Sequence, residues 1–207
     1  DYMLNNRLKQ QQKKYHEHRF ADIHSGLPDA NMSRYSMGAE ESRKLYEACE
    51  KNNMSVFSAI SMGVRTGLSC LNDNQQDVSF KMIINRRGTI AEKKSGGIRI
   101  GFLPMRSIIS GDMTFSDTIN SISVIQNEIY AHSSLGFWDM LVQRHRSMPE
   151  NAKPDSTYDS IGLSYQPLTE FPTISGLTME NTWFNNGASM IPLYLTVKNR
   201  TADKGFD

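Results

Sequence analysis

Few of the residue types that do enzyme chemistry are arranged for it in this 207-residue chain. Of its five histidines, His16 and His18 are separated only by Glu17. On a helix, residues two apart point about 160° away from one another around the axis. They cannot share one zinc ion as an i, i+4 pair can, so the segment reads as a surface helix. His24, His132 and His145 have no Cys or carboxylate placed near them in sequence that would recruit a metal. The chain also lacks a Gly-x-Ser-x-Gly elbow, a glycine-rich phosphate loop ending in Lys, and a Gly-x-Gly-x-x-Gly turn. Hydrolase, NTPase and dinucleotide chemistry therefore have no anchor here. No residue is assigned a catalytic role, and no metal site is expected.

The stretch that stands out is Gly96-Gly97-Ile98-Arg99-Ile100-Gly101-Phe102-Leu103-Pro104-Met105-Arg106. Its two leading glycines admit backbone conformations closed to residues with a Cβ, and Ile98, Ile100 and Phe102 then alternate with the period of a strand. A strand entered in this way lets a ligand or another chain come close to its backbone. The plainer alternative is an ordinary strand entered through a Gly-Gly turn.

The elements around it follow from apolar periods. Asp1 to Phe20 places Leu4, Leu8, Gln11 and Tyr15 on one helical stripe, and Asp22 to Gly38, with Gly26, Pro28 and Asn31, reads as a linker. A helix over Ser42 to Lys51 turns Leu45, Tyr46, Ala48 and Cys49 inward. Ser55 can cap a deeply buried helix carrying Val56, Ile60, Val64, Leu68 and Leu71. Val78 to Asn85 is nearly continuously apolar, as a central strand covered on both faces would be, and Arg86-Arg87-Gly88 ends it. Thr114 and Asp117 form a box-like cap for a long helix with Phe115, Ile119, Ile122, Ile125 and Ile129, ending near His132. A short helix over Phe137 to His145, a loop over Ser147 to Ser156, and strands over Ser160 to Tyr165, Leu177 to Phe184 and Ile191 to Asn199 complete the chain. Strands interleaved with helices argue for an α/β layer fold with a mixed sheet.

Composition narrows the partners. Lys and Arg number 23 against 22 Asp and Glu, a net charge of +1, which sets up no strong field toward nucleic acid or an anionic membrane. The one basic cluster, Lys9 to Lys14, shares its helix with Gln10, Gln11 and Gln12 and reads as a solvated face. No apolar run approaches the roughly 20 residues of a membrane span, and nothing resembles a signal peptide. Cys49 and Cys70 lie among apolar residues without Cys-x-x-Cys spacing, which predicts reduced, buried thiols and a cytoplasmic setting.

Taken in order, the segments resemble the C-terminal lobe of the condensation domains of nonribosomal peptide synthetases, within the chloramphenicol acetyltransferase-like superfamily. Asp1-Tyr2 and its helix look like the end of that family's Tyr-x-Asp-Tyr helix. Ala48 to Val56 is similar to the family's helix running into a buried helix, and Ile83-Ile84-Asn85-Arg86-Arg87 to its strand ending in Asn-Arg or Gly-Arg. The Gly96 to Arg106 stretch resembles a Gly-x-Phe-x-Asn-x-x-x-x-Arg segment, although the Asn is missing here. Ala131 to Asp139 resembles His-Gln-Asp-x-Pro-Phe-Glu, without its Gln-Asp and its Pro. Ile161 to Pro167 and Pro192 to Val197 look like the family's two closing strands, and Ser164 stands where the family has Asn. The family's catalytic His-His-x-x-x-Asp-Gly belongs to the other lobe and does not occur in this chain.

The resemblance implies a two-lobed α/β domain. Residues 1–40 would be a helix and linker from the lobe junction, and residues 41–207 the C-terminal lobe of a larger protein. It implies acyl transfer, in which an amine attacks an acyl or peptidyl thioester carried on the phosphopantetheine arm of a carrier protein. Related members of the superfamily transfer acyl groups to alcohols, and a non-catalytic module that only docks carrier proteins would share the fold. This lobe would bind no cofactor of its own. Its partners would be peptidyl or acyl carrier proteins and the N-terminal lobe, with neither nucleic acid nor membrane. Gly96, Gly97, Ser164 and Tyr165 would line the substrate tunnel, with Asn85, Arg87 and Arg106 in support. An arginine that closes a strand also braces a neighbouring loop in many folds, which is the competing role for Arg106.

Overall fold

A computed structural model describes residues 29–133, 161–167, 183–189, 193–200 and 203–207, with the single positions 139, 142, 146, 175 and 191. The elements are α1 (Ala39–Lys51), α2 (Val56–Leu71), β1 (Asp77–Asn85), α3 (Ile90–Lys94), β2 (Ile100–Ile108), α4 (Phe115–Ala131), β3 (Ile161–Gln166) and β4 (Leu193–Lys198). The helix at the start of the chain, the His16-Glu17-His18 pair and the loop over Ser147 to Ser156 lie outside the described residues, as does nearly all of the short helix over Phe137 to His145. So does most of the Leu177 to Phe184 strand, and its described end, Trp183 and Phe184, is not in a strand.

Both long helices begin where a side chain can replace the missing carbonyl partners of the first turn. The Ser55 hydroxyl accepts a hydrogen bond from the Ser58 amide at 3.0 Å. That of Thr114 accepts one from the Asp117 amide at 3.1 Å. The strands form one mixed sheet in the order β2-β1-β3-β4. β1 pairs antiparallel with β2, Met82 opposite Leu103, and parallel with β3, Met82 beside Leu163, while β3 pairs parallel with β4.

Alternation along the strands sends Val78, Phe80, Met82, Leu103, Met105, Ile161 and Leu163 to one face, where Leu68 of α2 and Ile122 and Ile129 of α4 cover them. Burying each such side chain contributes about 1.5–3 kcal/mol. Gln126 of α4 is also enclosed; it accepts a hydrogen bond from the Ser58 hydroxyl and donates to that of Ser61 at 3.3 Å, tying α4 to α2 through polar atoms.

Three burial expectations need correction. α2 is buried through Ser58, Ala59, Ser61, Arg65, Leu68 and Ser69, while Leu71 is 53% exposed and Val56, Ile60 and Val64 are half-buried. Steps of four residues advance 400° and drift about 40° each around a 3.6-residue helix, so the expected stripe runs off the covered face at its ends. Arg65 takes a place on that face because the Nη2 of its guanidinium donates to the carbonyls of Gln76, just before β1, and Ile109, just after β2, tying α2 to that end of the hairpin. Cys49 is buried, but Cys70 is exposed, one step around the helix from the covered Ser69. Phe115, first residue of its helix, is exposed for the same end-of-helix reason.

Candidate functional site

Because β1 and β3 run parallel, their carboxyl ends lie side by side, the position at which open α/β sheets receive ligands. A cleft of about 280 Å³ opens there. Phe57 comes to it from the first turn of α2, Ile83, Ile84 and Asn85 from the end of β1, Tyr130 from the last turn of α4, and Tyr165 from the end of β3.

Tyr165 is fixed on both sides. Its ring stacks on Phe57 with centroids 5.8 Å apart and planes 14° from parallel, within the range aromatic pairs favour. Its hydroxyl donates to Asn199 Oδ1 at 3.0 Å, and Asn199 Nδ2 donates to the Tyr46 hydroxyl at 2.6 Å. Burial, with smaller contributions from Tyr46 and Cys49, pushes the Tyr165 phenol up to about 12. Burial also raises the phenol of Tyr130. A folded-state value above the ordinary 10 means that the neutral phenol stabilises the fold, fully below pH 10 and progressively less as pH rises from 10 through 12. Stability is expected to fall by about 2 kcal/mol over that window, and Tyr165→Phe should remove that share of the fall. Urea unfolding across pH 9–12, with tyrosinate absorbance followed in parallel, measures both.

Asn85, Arg87 and Gly97 are connected at the same end of the sheet. Asn85 Oδ1 accepts from the Arg87 amide at 3.0 Å, and Arg87 Nη2 donates to the Gly97 carbonyl at 2.5 Å. Gly97 has φ +92°, the left-handed region that disfavours a side chain, whereas Gly96 does not. A Cβ at either glycine would have nothing within 4 Å, so no described part of this chain makes the close approach expected there. The strand itself starts at Ile100, leaving Ile98 in an exposed turn.

Ser164 lies elsewhere. It is 5% exposed and sits between Ile83 of β1 and Thr196 of β4. By alternation it shares a face with Gly162 and with its neighbour Ile83, opposite to Leu163 and Tyr165, and it is not among the residues that line the cleft. Lys81 reaches that same second face, its ammonium 5.3 Å from the centroid of the Phe102 ring. Arg106 is at the far end of β1, where its Nε donates to Asp77 Oδ1 at 2.9 Å and its Nη2 to Oδ2, a two-pronged brace between neighbouring strands. Of the residues singled out from sequence, Tyr165, expected in a tunnel wall, and Asn85, expected in a supporting role, line this cleft, beside Phe57 and Tyr130, which were not singled out. Among the described residues no group of three His, Cys, Asp or Glu side chains could hold a metal ion.

No protein-family model matches the sequence, and no curated protein matches it. Solved structures do match it. The first condensation domain of the calcium-dependent antibiotic synthetase, in complex with a substrate analogue, superposes with a TM-score of 0.64 at 15% identity, over 100% of this chain and 49% of that one. This chain has the fold of about half of a condensation domain. The condensation domain of the monacolin K polyketide synthase MokA gives a TM-score of 0.69 at 13% identity, over 98% of this chain and 50% of its own. The X-domain from teicoplanin biosynthesis gives 0.64 at 13%, over 99% and 48%. The chain therefore spans about half the length of the condensation domains it matches. Among the described residues no single helix is long and apolar enough to cross a membrane.

Proposed function

We propose that this chain is the C-terminal lobe of a condensation-type domain that joins a carrier-bound acyl or peptidyl thioester to an amine. The observation that carries this reading is the superposition of essentially the whole chain on half of several condensation domains, together with the sequence order of its segments. On this reading the amine nitrogen attacks the thioester carbonyl, an amide bond forms, the phosphopantetheine thiol leaves, and the proton lost by the amine is taken by a histidine of the other lobe. The present lobe supplies a wall that positions the thioester, through the cleft beside Asn85 and Tyr165. Arg87 and Gly97 shape the turn at its rim, Gly96 lies in the same turn, and Arg106 and Ser164 hold the sheet. The partners are peptidyl or acyl carrier proteins, and the setting is the cytoplasm.

A second reading has a specific observation behind it. The teicoplanin X-domain, found in complex with OxyB, matches with the same TM-score as the antibiotic-synthetase condensation domain. A docking module of the same fold would bind a partner without turnover. One experiment separates them. The chain alone, given a loaded carrier protein and an amine, is expected to yield no amide above background, and the same chain joined to its N-terminal lobe is expected to yield product by mass spectrometry. Binding of the carrier without product from the joined lobes would favour the docking module; product from the chain alone, abolished by replacing His132, would place the active site in this lobe and overturn the proposal. An alcohol acceptor tested beside the amine distinguishes ester from amide formation.

A further inference from the structure

The connection between β1 and β2 concentrates the positive charge of the chain. From Arg86 to Arg99, five basic side chains, Arg86, Arg87, Lys93, Lys94 and Arg99, stand against one acid, Glu92, so 14 residues carry +4 while the whole chain is +1 and its remainder is −3. The connection is held in shape from within. Thr89 and Glu92 close a capping box over α3, the Glu92 carboxylate also accepts from the Gly88 amide at 3.0 Å and from Arg99 Nη1 at 2.9 Å, and Arg87 holds the Gly97 carbonyl. The one acid is thus engaged inside the loop, and Lys93 and Lys94 are exposed. Ile90 and Ile98, 75% and 88% exposed, lie on the two segments that the Glu92–Arg99 pair draws together. Gly96 and Gly97 leave the backbone open beside them, since a Cβ at either would meet nothing within 4 Å. Apolar side chains interspersed with charge of one sign are the makeup of a protein-docking surface.

We propose that this β1–β2 connection is the docking surface for the carrier protein, which meets it with an acidic patch beside the attachment point of its phosphopantetheine arm. The proposal rests on the condensation reading for the partner, and on the charge of the connection for the chemistry of the partner's surface. The connection leaves β1 at Asn85, a residue of the cleft, so a carrier seated on it stands where the cleft opens. Nucleic acid and membrane fit less well. Residues 86–99 hold no aromatic side chain on which a base could stack, and the remainder of the chain, at −3, repels a long polyanion or an anionic bilayer. A compact acidic protein responds to the local +4 alone, because exposed charges farther apart than about 8–10 Å are largely screened at physiological salt.

The carrier protein of the turnover assay, with and without its phosphopantetheine arm, is titrated into the chain and followed by NMR. Amide resonances between Gly88 and Arg99 are expected to shift with both forms, and binding to weaken at least tenfold from about 0.05 to about 0.5 M salt. Lys93→Glu with Lys94→Glu, and separately Ile98→Ser, should each weaken it at least tenfold; all three side chains are exposed, so folding is kept. Lys44→Glu with Lys51→Glu, the same change of charge on α1, should leave it within about twofold. Absence of binding, shifts confined to other residues, or equal losses from the α1 pair overturn the proposal, as does tighter binding to phosphatidylglycerol vesicles or to duplex DNA than to the carrier. In the two-lobed domain the Lys93 and Lys94 pair of substitutions should raise KM for the loaded carrier at least tenfold and leave kcat unchanged, along with the rate on an acyl-N-acetylcysteamine thioester, which needs no docking. Amide formation with an unaltered carrier KM overturns the docking surface while leaving the condensation reading intact. Carrier binding at the connection without any amide formation does the reverse.

Discussion

Leu163→Ala is expected to lower the stability of this chain by about 3–5 kcal/mol, close to the upper end for a single core truncation. Leu163 has no exposed surface and sits beside Met82 and Leu195 in the middle of the sheet, with α2 and α4 closing the same face. Because its neighbours belong to paired strands, they cannot collapse far into the space that a lost isobutyl group leaves, so the cavity term adds to the lost transfer energy. For a chain of this length the melting temperature should drop by roughly 10 °C. Leu163→Met keeps the volume and is expected to cost less than about 1.5 kcal/mol. Urea unfolding of the pair is the measurement, and an unchanged midpoint for the alanine variant would show that β3 is not in the core.

The second large effect is at the end of the chain. Phe206 is buried, its ring 5.3 Å from that of Tyr46, and its carbonyl accepts from the Met37 amide at 2.8 Å. Lys198 and Asp207 exchange backbone hydrogen bonds at 2.9 Å, and Arg200 clasps Asp203 and Asp207, holding the Asp203 carboxyl down to about 2. Phe206→Ala is expected to cost about 3–5 kcal/mol by the same cavity argument. It should also loosen Tyr46, and through Asn199 the phenol of Tyr165, so the high-pH tyrosine titration should move back toward 10. Arg200→Ala removes the ion pairs to Asp203 and Asp207 and the hydrogen bonds to the Phe206 and Met37 carbonyls but leaves the Phe206 ring against Tyr46, so it should move that titration less than Phe206→Ala does. A Phe206→Ala protein with wild-type stability and titration would mean that the tail is an ornament of the fold.

What the sequence disclosed and what it withheld divide along the range of the interactions. The caps at Ser55 and Thr114 and the strands from Asp77, Ile100 and Ile161 are set by neighbours a few residues apart, and each was legible to within three residues or so. The phase of α2 was not, because Ser58 and Ser61 are enclosed by Gln126, a partner 65 to 68 residues away. The cleft was half legible. Tyr165 and Asn85 were flagged through family resemblance, whereas Phe57 and Tyr130 end up beside them only because two helices cross the same sheet end. Arg106 shows the same limit, since nothing local announces that Asp77, 29 residues earlier, is its partner.

The parallel pairing of β1 with β3 also bears on the order in which the chain can assemble. β1 and β2 close from a turn outward, beginning with Asn85 and Ile100, 15 residues apart, while Lys81 and Gly162 must meet across 81. Closing the longer loop costs about 1.5 kcal/mol more in chain entropy, before any new contact offsets it. Hairpin and helices therefore form a nucleus to which β3 is added afterwards. Tyr165 arrives with β3, so the cleft is among the last features to be completed, and a slowed or weakened β3 would leave a chain with native-like helices and an open corner at the end of β1.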